Sequence, residues 1–151
     1  MKLAIGCDEA GYPLKEILIA HLNELGFDAD DFGSQKDETV LYPDVAFKVA
    51  QSIADGSYQR GILICGTGIG MAISANKVKG IRAAQAADTY SAERAQKSNN
   101  AQILCLGARV TGNELAKSII TSYINSNFQG GGSADKIARI INYEANNPSS
   151  K

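Results

Sequence analysis

Short apolar, β-branched runs alternate along the chain with stretches whose apolar residues recur at helical spacing. Lys2 to Cys7 (KLAIGC) reads as a buried strand. The segment after it places Leu14, Ile17, Leu18, Leu22 and Leu25 on one helical face, closed by Gly26. Phe27 to Phe32 is more polar, which predicts a second strand at an edge. Pro43 opens a helix with Val45, Val49, Ile53 and Ala54 inward and Gly56 as its stop. Gly61 to Cys65 (GILIC) is continuously apolar, the pattern of a central parallel strand covered on both faces. Two further units follow: Gly80 to Ala86 with a helix from Asp88 to Lys97, and Gln102 to Leu106 with a helix from Gly112 to Asn125. A last helix is expected from Ser133 to Tyr143, after a flexible Gly130-Gly131-Gly132, and the tail Asn146 to Lys151 is expected to be loose. The pattern contains no internal repeat, and residues 1–145 read as a single domain.

Strands and helices that alternate with short connections imply right-handed crossovers and hence a doubly wound α/β fold, a parallel sheet of about five strands with a carboxyl-terminal helix. Composition narrows the function classes. The 151 residues are 44% hydrophobic and 21% charged, with 15 Lys+Arg against 16 Asp+Glu for a net charge of −1. That balance excludes the clustered basic charge that counterion release requires, so neither nucleic acid nor an anionic membrane is an expected partner. The amino-terminal apolar run is too short and too interrupted by charge for a signal peptide or a span. Three cysteines cannot all pair within the chain. None sits in a Cys-x-x-Cys or Cys/His metal spacing, so no metal or other cofactor is expected and a reducing cytoplasm is the expected compartment.

Parallel sheets of this kind bind ligands at the carboxyl ends of their strands. That rule selects Cys7-Asp8-Glu9, Cys65-Gly66-Thr67-Gly68-Ile69-Gly70 and Gly107-Ala108-Arg109. Three alternating glycines between a buried strand and a helix leave backbone amides bare, which suits an anion or a developing oxyanion; the same glycines would also suit a tight turn chosen for sterics alone. The spacing is GxGxG, with Met71 where a dinucleotide fingerprint has its third glycine, and no GxxxxGK[ST] is present. Cys65 stands just before this turn, where a helix dipole favours a thiolate able to take a proton beside a carbonyl; an inert buried cysteine is the alternative. Cys7 and Cys105 lie inside apolar runs and read as inert. Asp8 and Glu9 could orient hydroxyls or move protons, or simply cap a helix. Arg109 could hold an anion or lie on the surface. His21, the one histidine, falls in mid-helix away from the strand ends, which gives a histidine triad or metal site little support.

GCDEAGYPLK at 6–15, YPDVA at 42–46, GILICGTGIGMAISANKVKGIRAA at 61–84, YSAERA at 90–95 and GARVTGNELAK at 107–117 resemble the family of ribose-5-phosphate isomerase B and the galactose-6-phosphate isomerase subunits. The resemblance spans nearly the whole chain. It implies a Rossmann-like fold, a homodimer or homotetramer with a shared active site, no metal, and aldose–ketose isomerisation of a sugar or sugar phosphate through a cis-enediolate. It implies Cys65 as the base moving a proton between C1 and C2, with Gly66, Gly68, Ile69 and Gly70 supplying amides to the enediolate oxygen. Thr67 would assist ring opening, Asp8 and Tyr42 would line the pocket, and Asn99 would reach the substrate across a dimer interface.

Three positions depart from that family's pattern. Its ring-opening histidine falls on Ser98; a phosphate-binding histidine in the first motif is Glu9; and its carboxyl-terminal arginine clamp reads Gly132 and Lys136, with Arg109 kept and Arg139 one turn beyond Lys136. A carboxylate for a phosphate ligand adds repulsion, and one lost bidentate arginine removes about 1.5–3 kcal/mol. Lys136, with Arg139 or a partner chain, is therefore the expected substitute anion ligand. Besides the homo-oligomeric isomerase, the pattern allows the cysteine-bearing subunit of a hetero-oligomer with a paralogous partner, or an inactive sugar-binding homologue.

Overall fold

The structure, a computed structural model, describes residues 1–147. Five strands form one parallel sheet in the order β2-β1-β3-β5-β4: β1 Leu3–Cys7, β2 Ala29–Asp31, β3 Arg60–Cys65, β4 Ala83–Gln85 and β5 Ile103–Gly107. The helices are α1 Tyr12–Glu24, α2 Tyr42–Ala54, α3 Ile69–Ala75, α4 Thr89–Lys97, α5 Asn113–Ile124 and α6 Gly132–Asn146. None of the described helices is long and apolar enough to cross a membrane.

Alternation along the strands assigns the helices to two faces. Ile62 and Ile64 of β3 pack with Leu14, Leu18, Leu22, Ile119 and Tyr123 of α1 and α5. Leu63 and Cys65 point the other way, to Val45 and Val49 of α2 and Met71 of α3. Every residue of β1, β3 and β5 is buried, as expected for strands covered on both sides, whereas β2 and β4 are short, partly exposed edges. The chain leaves β1 in one direction to β2 and in the other to β3, so a crevice opens over the carboxyl ends of β1 and β3.

The sequence reading needs several corrections. The strand predicted over Gly80–Ala86 keeps only Ala83–Gln85, because Gly80 turns at a φ of +88°. Leu25 and Ala54 are exposed and Ile17 is half-buried; Ala46, Ala50 and, unexpectedly, Lys15 take the inward places. The Lys15 side chain has no exposure, but all three of its ammonium hydrogens have acceptors. Nζ donates to both carboxylate oxygens of Asp31 at 2.8 Å and to the Ser34 carbonyl at 2.6 Å. Gly132 is the first residue of α6 instead of part of a loop, and α6 runs on through Asn146. Most of the expected tail, residues 148–151, lies outside the described residues. Helix α6 buries Ile137 alone and leaves Ile140, Ile141 and Tyr143 exposed.

Candidate active site

The site begins where β3 ends. Cys65 lies opposite Gly107 in the sheet register, and the chain then turns sharply into α3 through Gly68, whose φ of +81° is left-handed. The turn rests directly on β5. A Cβ at Gly68 would stand 2.9 Å from the Leu106 carbonyl carbon, and one at Gly107 would stand 2.7 Å from the Thr67 backbone. The carbonyls of the turn are held on that side: Ala108 N–H donates to Cys65 O at 2.9 Å, Arg109 N–H to Gly66 O at 3.0 Å, and Gln85 Nε2 to Thr67 O at 3.3 Å. The Gly68 N–H donates to Cys65 Sγ at 3.2 Å, and the Ile69 N–H to Thr67 Oγ1 at 3.2 Å. Two of the amides expected to be bare thus already have partners within the turn.

Three other elements close a cleft of about 400 Å³ around the cysteine, lined by Asp8, Tyr42, Cys65, Gly66, Thr67, Ile69, Gly70, Ile73 and Arg109. Asp8 follows β1; its Oδ1 accepts the N–H groups of Ala10 at 3.0 Å and Gly11 at 3.1 Å, capping the approach to α1. Burial pushes the Asp8 carboxyl above its ordinary value, the Gly11 N–H opposes that, the Glu9 charge adds to it, and Arg109 draws it back. Tyr42 opens α2, and its ring lies so close to Gly70 that a Cβ there would stand 2.4 Å from Cε1. The Arg109 guanidinium passes over Gly66, where a Cβ would meet Nη1 at 3.1 Å.

Cys65 is 5% exposed and opens on this cleft, in contrast to the other two thiols. Cys7 and Cys105 are completely buried in the two cores, and burial pushes both thiols up. The expectation that they are inert packing residues fits this placement.

Gly68 stays within the turn, its N–H on Cys65 Sγ, and does not line the cleft; four other residues singled out from the sequence lie away from it. Glu9 turns away from it, its Oε2 accepting the Val40 N–H at 3.3 Å beside a separate hollow with Tyr12, Gln35 and Lys36. Ser98 caps α4, and its Oγ accepts both Nε and Nη2 of Arg94, at 2.8 and 2.6 Å. Asn99 follows it, its carbonyl accepting Arg82 Nε at 3.3 Å. Lys136 lies on α6 in a shallow depression with Asp135, Arg139 and Ile140. The reason is topological: α4 follows the edge strand β4, on the far side of β5 from β1, and α6 follows the last strand. Conversely, Ile73 and Gln85 escaped the sequence reading. Ile73 is signalled by its i, i+4 spacing from Ile69; Gln85 carries no signal, since its contact with Thr67 depends on β4 lying beside β5.

A thiol, a carboxyl and a guanidinium gathered on a glycine turn, over the carboxyl ends of a doubly wound sheet, define an α/β protein equipped for proton transfer beside an anionic group. The profile of the Ribose/Galactose Isomerase family matches residues 3–140. A ribose-5-P isomerase B of Listeria innocua is 57% identical over 137 residues, 91% of this chain and 93% of that protein. A D-erythrulose-4-phosphate isomerase of Pectobacterium atrosepticum is 54% identical over 145 residues, 95% of each. The structure of ribose-5-phosphate isomerase B from Clostridium thermocellum superposes with a TM-score of 0.94 at 43% identity, covering 97% of this chain and 99% of that one. The chain belongs to the ribose/galactose isomerase family, and with it to the aldose–ketose isomerases.

Proposed function

We propose that this chain interconverts a short aldose phosphate and the corresponding 2-ketose, as a single isomerase domain, with Cys65 as the base. The observation that carries the reading is the placement of Cys65 Sγ in the floor of the cleft, under the Gly68 N–H. The names of the relatives supply the substrate class, sugar phosphates of four or five carbons.

The α-proton of a sugar aldehyde is weakly acidic, so its removal needs a placed base together with donors fixed where charge develops. The Cys65 thiolate takes the proton from C2, the electron pair forms the C1–C2 double bond, and negative charge gathers on O1. The amides of Gly66 and Gly70 serve that oxygen, those of Gly68 and Ile69 being held by Cys65 Sγ and Thr67 Oγ1. The proton then returns from sulfur to C1 while the O2 proton passes to O1, leaving the ketone at C2. Asp8, Tyr42 and Thr67 position the hydroxyl groups, and Arg109, always cationic, holds the phosphate end.

Ser98, Asn99 and Lys136 lie outside their own chain's cleft, which fits a homodimer in which α4 and α6 of one subunit border the cleft of the other. The three free thiols fit a reducing cytoplasm.

The test is incubation of the purified protein with D-erythrulose 4-phosphate and D-ribulose 5-phosphate in D2O, followed by NMR. Aldose should form with deuterium entering at C1 of the ketose and C2 of the aldose. If neither compound isomerises nor exchanges, the chain is not an isomerase of this class.

A further inference from the structure

Strand β4 is three residues long, yet it holds α3 at both ends. Ala83 and Gln85, two residues apart, share a face with their register partners Ile103 and Cys105 of β5, the face on which α3 lies. At the carboxyl end of α3 the Asn76 side chain pairs with the Ala83 backbone in both directions. Its Nδ2 donates to Ala83 O and its Oδ1 accepts the Ala83 N–H, each at 2.8 Å. At the amino end, Gln85 Nε2 donates to Thr67 O at 3.3 Å. The Asn76 contacts pin the edge strand to α3, and with it the backbone from which Gln85 reaches the turn.

Three successive carbonyls of the turn are held from the side of β4 and β5. Those of Cys65 and Gly66 accept the backbone N–H groups of Ala108 and Arg109, and the third, of Thr67, accepts the Gln85 side chain. Thr67 O belongs to the same peptide unit as the Gly68 N–H, which donates to Cys65 Sγ at 3.2 Å. That unit is planar, with its C=O and N–H pointing in opposite directions, so a donor on the oxygen fixes where the N–H points. It also polarises the unit, and in a chain of hydrogen bonds each strengthens the next by about 10–30%. A thiol sulfur is a weak acceptor, whereas a hydrogen bond to the charged form favours that form, so the N–H serves the thiolate above the thiol.

We infer that Gln85 is a positioning residue for the Cys65 base: by holding the Thr67 carbonyl, its side-chain amide aims the Gly68 N–H at Sγ and favours the ionised sulfur, the form that takes a proton from carbon. The inference rests on the isomerase reading above. Gln85 does not line the cleft, and its amide acts through the peptide unit between Thr67 and Gly68. Of the groups that hold the three carbonyls it is the one side chain, so a substitution removes it without disturbing the backbone.

The test compares the wild type with Gln85→Met, which keeps the length of the side chain without a donor, and with Gln85→Glu, whose carboxylate keeps the shape and only accepts. The readout is alkylation of Cys65 by iodoacetamide in the native protein, with the modified peptide identified by mass spectrometry; Cys7 and Cys105 are completely buried. At pH 7 both variants should react about 3-fold more slowly, the order of effect of one lost hydrogen bond. The deficit should close as pH rises and the sulfur ionises unaided. For D-erythrulose 4-phosphate, kcat should fall by a similar factor with KM unchanged. Alkylation of Gln85→Met at the wild-type rate overturns the inference. A slow Gln85→Met beside a Gln85→Glu that matches the wild type also overturns it, since shape alone would then matter. So does a deficit equal at every pH, which would mean altered access to the sulfur, and so does a raised KM with kcat unchanged, which would make Gln85 a substrate-binding residue. Alkylation requires no turnover, so failure of the isomerase reading, seen as no exchange with either ketose phosphate, is distinguished from failure of this inference, seen at the sulfur.

Discussion

Gly107 and Thr67 are packed so tightly that a Cβ on the glycine would stand 2.7 Å from the Cα, carbonyl carbon and oxygen of the threonine. Strand β5 is thus the bed on which the Cys65–Gly70 turn lies. The contact is between backbone atoms, which cannot swing aside as a side chain can. In Gly107→Ala the turn must lift from β5, displacing Thr67 and the amides beside Cys65. A misplacement of about 1 Å costs on the order of 10²-fold in rate, so kcat should fall by about that factor. The β3–β5 pairing lies behind the turn, so far-UV circular dichroism should be unchanged.

Much of this arrangement was legible in the sequence. The strand and helix periods, the edge character of β2 and the place of Cys65, Thr67 and Arg109 at the strand ends around the cleft follow from local pattern and from the rule that ligands sit at strand ends. What escaped depends on strand order. The adjacency of β4 and β5 puts Gln85 on the Thr67 carbonyl, and no feature near residue 85 announces it. Glu9 is adjacent to Asp8 in sequence, yet the chain turns between them and sends the two carboxylates to different hollows. Lys15 reads as a solvated lysine until Asp31 and Ser34 are brought over it from the other side of β1.

That buried ammonium makes a prediction about stability. Removing one partner of a buried ion pair costs roughly 3–5 kcal/mol. The Asp31 side chain keeps 27% exposure, so Lys15→Met should fall at the low end, about 3 kcal/mol. Urea unfolding measures it. Asp31→Asn in the Lys15→Met background should recover part of the loss, because the uncompensated charge is then gone; no recovery would mean that packing of the lysine stem is what matters.

Asp8 makes a prediction about pH. Its folded-state carboxyl titrates above the ordinary aspartate value of 3.8, chiefly because of burial. A carboxyl raised on folding favours the native state while it is protonated, and that contribution is lost as pH rises through the folded value. At pH 7 the ionised group is therefore a net burden on the fold. Asp8→Asn keeps an oxygen for the Ala10 and Gly11 N–H groups and removes the charge. Its Tm should exceed that of the wild type by a few degrees at pH 7, and the difference should vanish as pH falls below about 4. A difference that grows on acidification would contradict this assignment.

The central claim is that Cys65 moves the proton between the two carbons. Cys65→Ala removes the sulfur from a site where the surrounding turn is held by β5, so the fold should persist. The most direct measurement is deuterium incorporation at C1 of D-erythrulose 4-phosphate in D2O, wild type against Cys65→Ala, with native structure checked by circular dichroism. Exchange and isomerisation should both vanish in the folded variant. Exchange that continues in Cys65→Ala at a rate near that of the wild type would assign the proton to another base and contradict the account.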